Sequence, residues 1–247
     1  MKVATWNVNG IRARNEQFVD FVAEQQPDVI CLQEIKASIP QVPESCNIEG
    51  YTCYWHGAGA YSGVAMHVRR GFAEKPDFTH PAFDHETRIV QAQIGDTVFA
   101  SVYVPNGGKD FDAKMTFMRA LVEYGADIRA RGLNLVLCGD LNVARSEMDV
   151  HPKERKPRAI GQLPQERELL ETIIAQGLTD VGRNLHPDDE NYFTWWAPWR
   201  NLRQRNIGWR LDYVLASSDL ARRAVSCPSY REIGTSDHAP VVATFAE

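Results

Sequence analysis

No run in this sequence approaches the ~20 apolar residues that a helix needs to cross a bilayer, so no membrane partner is expected. Cysteine is scarce. The five residues Cys31, Cys46, Cys53, Cys138 and Cys227 are odd in number and contain no Cys-x-x-Cys, which argues against a disulfide framework and for a reducing compartment. Cys31 and Cys138 sit within apolar runs, where a thiol behaves as a small hydrophobe. Low-complexity tracts, linkers and internal sequence repeats are also missing, and one domain over residues 1–247 is expected. The N-terminal Met1-Lys2-Val3-Ala4-Thr5-Trp6 runs straight into a strand-like pattern without the apolar core or cleavage site of a signal peptide, and a cytoplasmic location is expected. An overall excess of positive charge is absent as well: the net charge is −5. The distribution carries more information. Arg200, Arg203, Arg205 and Arg210 lie in a segment with no acid, and Lys153, Arg155, Lys156 and Arg158 face one Glu154. Solvated loops are the plain reading of such clusters. Their aromatic neighbours shift the expectation towards phosphate contacts.

What the sequence does contain is centred on Leu133–Ala144. Leu135, Val136, Leu137 and Cys138 form an apolar run without polar alternation, suited to a strand buried on both faces. Gly139 permits a turn or a close approach. Asp140 and Asn142 then share one face of an extended chain. A carboxylate and an amide there can grip a water, a metal and a phosphate oxygen. An Asx turn capping the strand competes with that reading.

In chain order, Lys2–Trp6 reads as a buried strand with Asn7-Val8-Asn9-Gly10 as its exit. Asn15 is the expected N-cap of a helix that buries Phe18, Phe21 and Val22 and stops at Pro27. Asp28–Leu32 is a second strand ending at Gln33-Glu34, followed by a long connection from Ile35 to Tyr61. Gly63–Val68 and Val98–Val104 are further strands, and Pro105–Gly108 a turn. Asp112–Arg131 is a helix, Asp149–Leu163 a basic loop, and Pro164 opens a helix ended by Gly177. Residues 191–211 are aromatic and basic, and Asp212–Ala216 and Pro240–Phe245 are the last strands. The alternation implies a layered α/β fold.

Polar residues recur at the ends of these apolar strands: Asn7, Glu34, Tyr103, Asp140, Asn142, Asp212, Asp237 and His238. Any one alone is an ordinary capped turn. Eight together suggest a site at one sheet edge, where open α/β folds place theirs. For His56, His80 and His151 the surface or structural reading is preferred.

The motifs Trp6-Asn7-Val8-Asn9-Gly10, Leu32-Gln33-Glu34, Tyr51 with Tyr61-Ser62-Gly63-Val64, Tyr103-Val104-Pro105-Asn106, Gly139-Asp140-Leu141-Asn142-Val143, Pro164-Gln165-Glu166-Arg167, Gly208-Trp209-Arg210-Leu211-Asp212-Tyr213 and Ser236-Asp237-His238 follow one another in that order. Together they span essentially the whole chain. This pattern resembles the exonuclease III family of abasic-site endonucleases, within the endonuclease/exonuclease/phosphatase superfamily. The resemblance implies a four-layered α/β sandwich, two packed mixed sheets flanked by helices. It implies Mg²⁺-dependent cleavage of a DNA phosphodiester 5′ to an abasic site, with Mn²⁺ able to substitute, accompanied by 3′-to-5′ exonuclease and removal of blocked 3′ ends. The expected partner is double-stranded DNA carrying abasic sites or blocked 3′ ends, the expected state a monomer, and the location cytoplasmic on the nucleoid.

Roles can be assigned on that basis. Glu34, with Asn7, Asp140, Asn142, Asp237 and His238 completing or orienting the shell, would hold the metal. Asp140 would deprotonate the attacking water, held by Asn142. The resemblance pairs His238 with Asp212, whose carboxylate would favour an imidazolium that binds a phosphoryl oxygen. Tyr103 would donate to the same phosphate or titrate. Asn106, Lys109, Lys153, Arg200, Trp195, Trp209 and Leu211 would contact DNA, the last three lining a pocket for an extruded sugar. Asn9 replaces an Asp found in some members and removes one possible ligand. The loop Arg158-Ala159-Ile160-Gly161-Gln162 would bias internal cleavage against 3′-end processing. Rival readings are a 3′-end-processing exonuclease or phosphatase with little abasic-site cleavage, an inositol-phosphate or sphingolipid phosphodiesterase, and a DNA-binding relative without catalysis.

Overall fold

The computed structural model describes residues 1–246. Twelve strands run in the order β1 Lys2–Asn7, β2 Val29–Gln33, β3 Tyr51–His56, β4 Val64–Arg69, β5 Asp77–Thr79, β6 Ile89–Ile94, β7 Thr97–Tyr103, β8 Asn134–Asp140, β9 Leu178–Asp180, β10 Asp212–Ser217, β11 Ala224–Ser226 and β12 Val241–Phe245. The helices are α1 Ile11–Gln25, α2 Phe111–Ala130, α3 Pro164–Ile174, α4 Val181–Leu185 and α5 Ser218–Ala221. One six-stranded sheet has the order β11-β12-β1-β2-β4-β3 and the other β5-β6-β7-β8-β10-β9. Each holds one parallel pair, β1 with β2 and β7 with β8, amid antiparallel neighbours. Read from β11 and from β9 respectively, the two sheets therefore repeat the same pattern of pairings, a pseudo-two-fold relation that the residues themselves do not repeat.

The sheets pack face to face through Val3, Val29, Cys31, Phe99, Val136, Cys138, Val214 and Val241. This explains the unbroken apolar runs: both faces of the central strands are covered. On the outer face of the second sheet, Phe117, Met118, Leu121 and Leu170 from α2 and α3 meet Ala100, Leu135 and Leu137. Phe18, Phe21 and Val22 of α1 cover Ala4, Ile30 and Leu32 on the first sheet. All five cysteines are free.

Several boundaries differ from the expectations. Asn15 lies inside α1; the helix starts four residues earlier because Gly10 and Ile11 donate their amides to the carbonyls of Glu34 and Ile35. Backbone exiting β2 thus replaces a side-chain cap. Asp110 caps α2, accepting from the Ala113 amide at 2.9 Å. The connection 35–61 contains β3, an edge strand paired only with β4. Strands β5, β6, β9 and β11 and helices α4 and α5 are short or weakly apolar, and periodicity did not signal them. Gly139 has φ 152°, and a Cβ there would meet the Val102 carbonyl oxygen at 1.8 Å. Only glycine allows β7 and β8 to approach so closely beside the site.

Candidate active site

The pairing register gathers the polar strand ends. In parallel β1 and β2, Asn7 stands opposite Gln33, and Glu34 follows. In parallel β7 and β8, Tyr103 stands opposite Asp140. Strand β10 is antiparallel to β8, so its first residue, Asp212, also faces Asp140. Strand β12 is antiparallel to β1, which delivers the Ser236-Asp237-His238 turn to the same edge. Ser236 latches that turn down: its hydroxyl donates to the Asn7 carbonyl at 2.7 Å and accepts from the His238 amide at 3.2 Å.

Glu34, Asp140 and His238 offer ligand atoms all within 4.8 Å of one another. The Asn7 amide nitrogen donates to Glu34 Oε1 and to Asp140 Oδ2, each at 2.9 Å. Asn142 holds Asp140 from the other side, through its backbone amide at 2.9 Å and its side chain at 3.2 Å. Glu34 and Asn142 both adopt left-handed backbone, φ 48° and 52°, a conformation uncommon for Glu. Glu34 keeps it because Ile35 and Lys36 donate to the Gly63 and Ser62 carbonyls.

Electrostatics separate the acids. Burial raises the Asp140 carboxyl, His238 opposes that, and Asp212 and Glu34 raise it further, to about 7. Burial lowers the His238 imidazolium, but Asp212 and Asp140 outweigh it and lift it to about 10. Asp212 Oδ2 lies 2.9 Å from His238 Nδ1, and the shared proton belongs on the ring. The other ring nitrogen, Nε2, finds Asn7 Nδ2 at 3.3 Å and Asp140 Oδ2 at 3.8 Å. Neither is an acceptor within reach, so its proton is available to a substrate oxygen. A protonated ring donates from both nitrogens, whereas the neutral ring would leave Nε2 as a ligand atom beside Glu34 and Asp140. Burial raises Glu34, yet Asn7 and Lys36 hold it below the ordinary range. Burial pushes the Tyr103 hydroxyl far above its usual range, and Glu34 and Asp140 add to this. The Tyr103 hydroxyl is thereby held in its protonated form, with a proton to donate into the cavity it lines.

Asp237 lies beside the cluster with its oxygens taken by Asn9 Nδ2 at 2.7 Å and Trp195 Nε1 at 3.0 Å. Lys36 escaped the sequence reading. Its ammonium lies 2.6 Å from Glu34 Oε2 and 2.6 Å from Asn9 Oδ1. Glu34, Asp140, Asp212 and Asp237 thus meet the cations Lys36 and His238. Hard oxygen donors with an excess of negative charge fit a divalent cation, and Glu34 and Asp140, which Asn7 holds together through its amide nitrogen, are placed to hold one.

Against this polar group lies a cavity of about 420 Å³ lined by Glu34, Tyr103, Asn106, Asn142, Ile160, Gly161, Trp195, Trp209, Leu211, Asp237 and His238. Trp195 and Trp209 meet edge to face, centroids 5.6 Å apart. Thr194 accepts from the Leu211 and Asp212 amides at 2.9 and 3.0 Å, fixing the shared edge of apolar wall and acid. Behind the wall, fully buried Lys114 pairs with Glu166 and donates to the Asn106 and Asn142 carbonyls, while Glu166 accepts from Gly161 and Leu163. A lone Lys and Glu on separate helices gave no sequence signal of this link.

The basic clusters are only partly available. Arg203 donates to the Arg231, Ser236 and Ile233 carbonyls. Arg210 is 1% exposed and clamped by Asp149 and Asp180. Both are internal struts, which corrects the reading of this stretch as one basic surface: its acids come from distant segments. Arg200, Arg205, Lys109, Lys153 and Lys156 are exposed.

The sequence matches the Endonuclease/Exonuclease/phosphatase family over residues 4–238. An exodeoxyribonuclease of Bacillus subtilis (strain 168) is 34% identical over 98% of either chain. The DNA repair nuclease APEX1 of Danio rerio is 35% identical over all of this chain and 82% of that protein. Among solved structures, a Neisseria 3′ phosphatase, NExo, bound to product DNA hairpin superposes over the full length of both chains with a TM-score of 0.91 at 31% identity.

Proposed function

The chain belongs to the endonuclease/exonuclease/phosphatase family, as a DNA-repair nuclease of the exodeoxyribonuclease III type, and from that premise we propose that it hydrolyses the phosphodiester 5′ to abasic sites in duplex DNA. The observation that carries this reading is the shared edge of two features: an acid–imidazolium cluster and an apolar cavity walled by Trp195, Trp209 and Leu211. An abasic nucleotide has no base to unstack and is cheap to extrude. A wall of this kind accepts a bare sugar by shape and presents it to the phosphate chemistry.

In the proposed reaction Asp140, raised to about 7, takes a proton from the attacking water, near the pH at which a general base works best. Asn7 and Asn142 hold its two oxygens in place. The Nε2 proton of His238 and the Tyr103 hydroxyl meet the charge that grows on the phosphoryl oxygens. A divalent cation, Mg²⁺ by expectation, supplies Lewis-acid stabilisation of the phosphate and of the leaving 3′ oxygen when bound. Exposed Arg200, Lys153 and Lys109, with Asn106 at the cavity mouth, contact the DNA backbone.

A second reading, 3′-end processing, is favoured by the likeness to the Neisseria 3′ phosphatase, and Ile160 and Gly161 of the loop expected to set that balance line the cavity. The test is incision of a duplex with one abasic site, of the intact duplex, and of a nicked duplex ending in a 3′ phosphate, each with Mg²⁺ and with chelator. Incision restricted to the abasic duplex and abolished by chelator is expected. Phosphate removal without incision would replace the first reading with the second, and activity on none of the three would leave a DNA-binding relative.

A further inference from the structure

A second group of side chains converges at the lateral edges of the two sheets, on the flank of the rim that carries the first. His56 ends β3 at the edge of the first sheet, while His80 and Asp84 lie in the loop between β5 and β6 at the edge of the second. One ligand atom of each lies within 4.8 Å of the others. We propose that His56, His80 and Asp84 form a site for a borderline transition-metal ion of the zinc class, which staples the two sheet edges together.

The placement of the remaining atoms carries the argument. His80 Nδ1 lies 3.1 Å from the Ile89 carbonyl. A carbonyl only accepts, so that nitrogen bears the proton and Nε2 carries the lone pair. This is the outer arrangement that fixes metal-ligating histidines. Asp84 Oδ1 accepts from the Arg88 and Ile89 amides at 2.9 and 3.1 Å. That leaves Oδ2 as the free ligand, 2.6 Å from His56 Nε2. A metal takes the place of the proton held between those two atoms, and His56 binds as the neutral ring. The fourth position falls to a water or to the Tyr54 hydroxyl, 2.9 Å from His80 Nε2. Two imidazoles and one carboxylate with an open position match zinc, cobalt or nickel rather than magnesium. The group is half-buried rather than freely mobile, with the His56 and Asp84 side chains 21% and 14% exposed. It also differs in kind from the oxygen-rich cluster at Glu34 and Asp140, so the two sites select different ions.

The experiment is a zinc titration by calorimetry on the full chain as wild type, H56A/H80A and E34Q, with excess Mg²⁺ throughout, and cobalt absorption spectra of the same three. Wild type and E34Q should each take up zinc that H56A/H80A does not, with affinity falling about 10²-fold or more, since loss of an outer partner alone costs up to that much. Cobalt should give the visible bands of a low-coordinate nitrogen–oxygen site in the first two proteins only. Asp84→Asn provides a second variant: it keeps the Oδ1 contacts to the loop amides and removes the anionic ligand, so it should stay folded and lose zinc. Circular dichroism checks folding. Equal zinc uptake by wild type and by folded H56A/H80A or D84N would overturn the proposal, as would zinc lost entirely in E34Q.

Discussion

The Lys114–Glu166 pair offers a sharp test of how the cavity wall is held. Both side chains are fully buried. Lys114→Met removes the ion pair and the bonds to the Asn106 and Asn142 carbonyls at 3.2 and 2.8 Å. Breaking one partner of a buried pair costs about 3–5 kcal/mol, because the other charge stays behind. Here Glu166 retains amide donors from Gly161 at 2.7 Å and Leu163 at 3.0 Å. Charge-assisted bonds of that kind are worth roughly 1.5–3 kcal/mol each, so the lower end, about 3 kcal/mol, is expected. Glu166→Gln strands the ammonium and weakens the same amide contacts, with a similar loss. The double variant leaves no buried charge, and its loss should fall short of the sum by about 2 kcal/mol. Urea denaturation of wild type, both singles and the double closes the cycle. In the folded singles, kcat/KM on abasic duplex should fall about 10-fold or more, since small misplacements of positioning groups carry such penalties. Additive losses within ~0.5 kcal/mol, or singles with unaltered kcat/KM, would refute the idea that this pair sets the wall.

Asp140→Asn should lower turnover by at least ~10² while abasic-duplex binding is largely kept; turnover within a few-fold of wild type would remove Asp140 as the base. Trp209→Ala should narrow the ratio of cleavage on abasic and intact duplex in a protein whose circular dichroism is unchanged; a constant ratio would return Trp209 to a packing role. Exposed Lys153, Arg200 and Arg205 should each contribute about 0.9 to the log–log salt slope of binding if they touch phosphates, whereas Arg203→Ala should lower stability, because its guanidinium holds three carbonyls. Burial holds His67 down to about 4 against an ordinary 6.5, despite its contact with the Cys46 carbonyl. The unfolded chain therefore binds that proton first, so stability is intact above pH 6.5 and falls between 6.5 and about 4, by roughly 3 kcal/mol for this group alone. Urea midpoints at pH 7 and 4.5 should converge in His67→Gln relative to wild type, and equal shifts in both proteins would assign the acid sensitivity elsewhere.

The legible part of this chain was the part written in short-range pattern. The run Leu135–Cys138 and the glycine after it specify a doubly covered strand and a close approach, and both are present. The strand-end polar residues could be gathered because parallel pairs and their antiparallel neighbours bring those ends to one edge. What stayed hidden depended on partners far along the chain. Arg210 reads as a surface charge from its own neighbours, yet Asp149 and Asp180, 61 and 30 residues away, hold it inside. Asn15 looked like a cap because nothing local revealed that the Glu34 and Ile35 carbonyls would start the helix. The edge strands β3 and β5 carry mixed polarity because one side faces solvent, and that removes the apolar signal a central strand shows.

The same distinction explains how two sheets of unrelated sequence hold one site. The first supplies Asn7, Glu34 and, through the turn before β12, His238. The second supplies Tyr103, Asp140 and Asp212. A slip of either sheet by one residue would pull the base from the imidazolium, and an apolar interface alone is tolerant of sliding. One polar chain crosses it just beneath the site. The Thr5 hydroxyl donates to Gln33 Oε1, Gln33 Nε2 to the Ser101 hydroxyl, and Ser101 to the Leu32 carbonyl, each at 3.1 Å. All three side chains are fully buried. Any slip would leave these groups without partners in a low-dielectric core, at roughly 1–3 kcal/mol for each group. Gln33 precedes Glu34, and Ser101 lies two residues before Tyr103 on the same face of β7. The register of the sheets is therefore fixed within one pleat of the chemistry, by residues that never touch it.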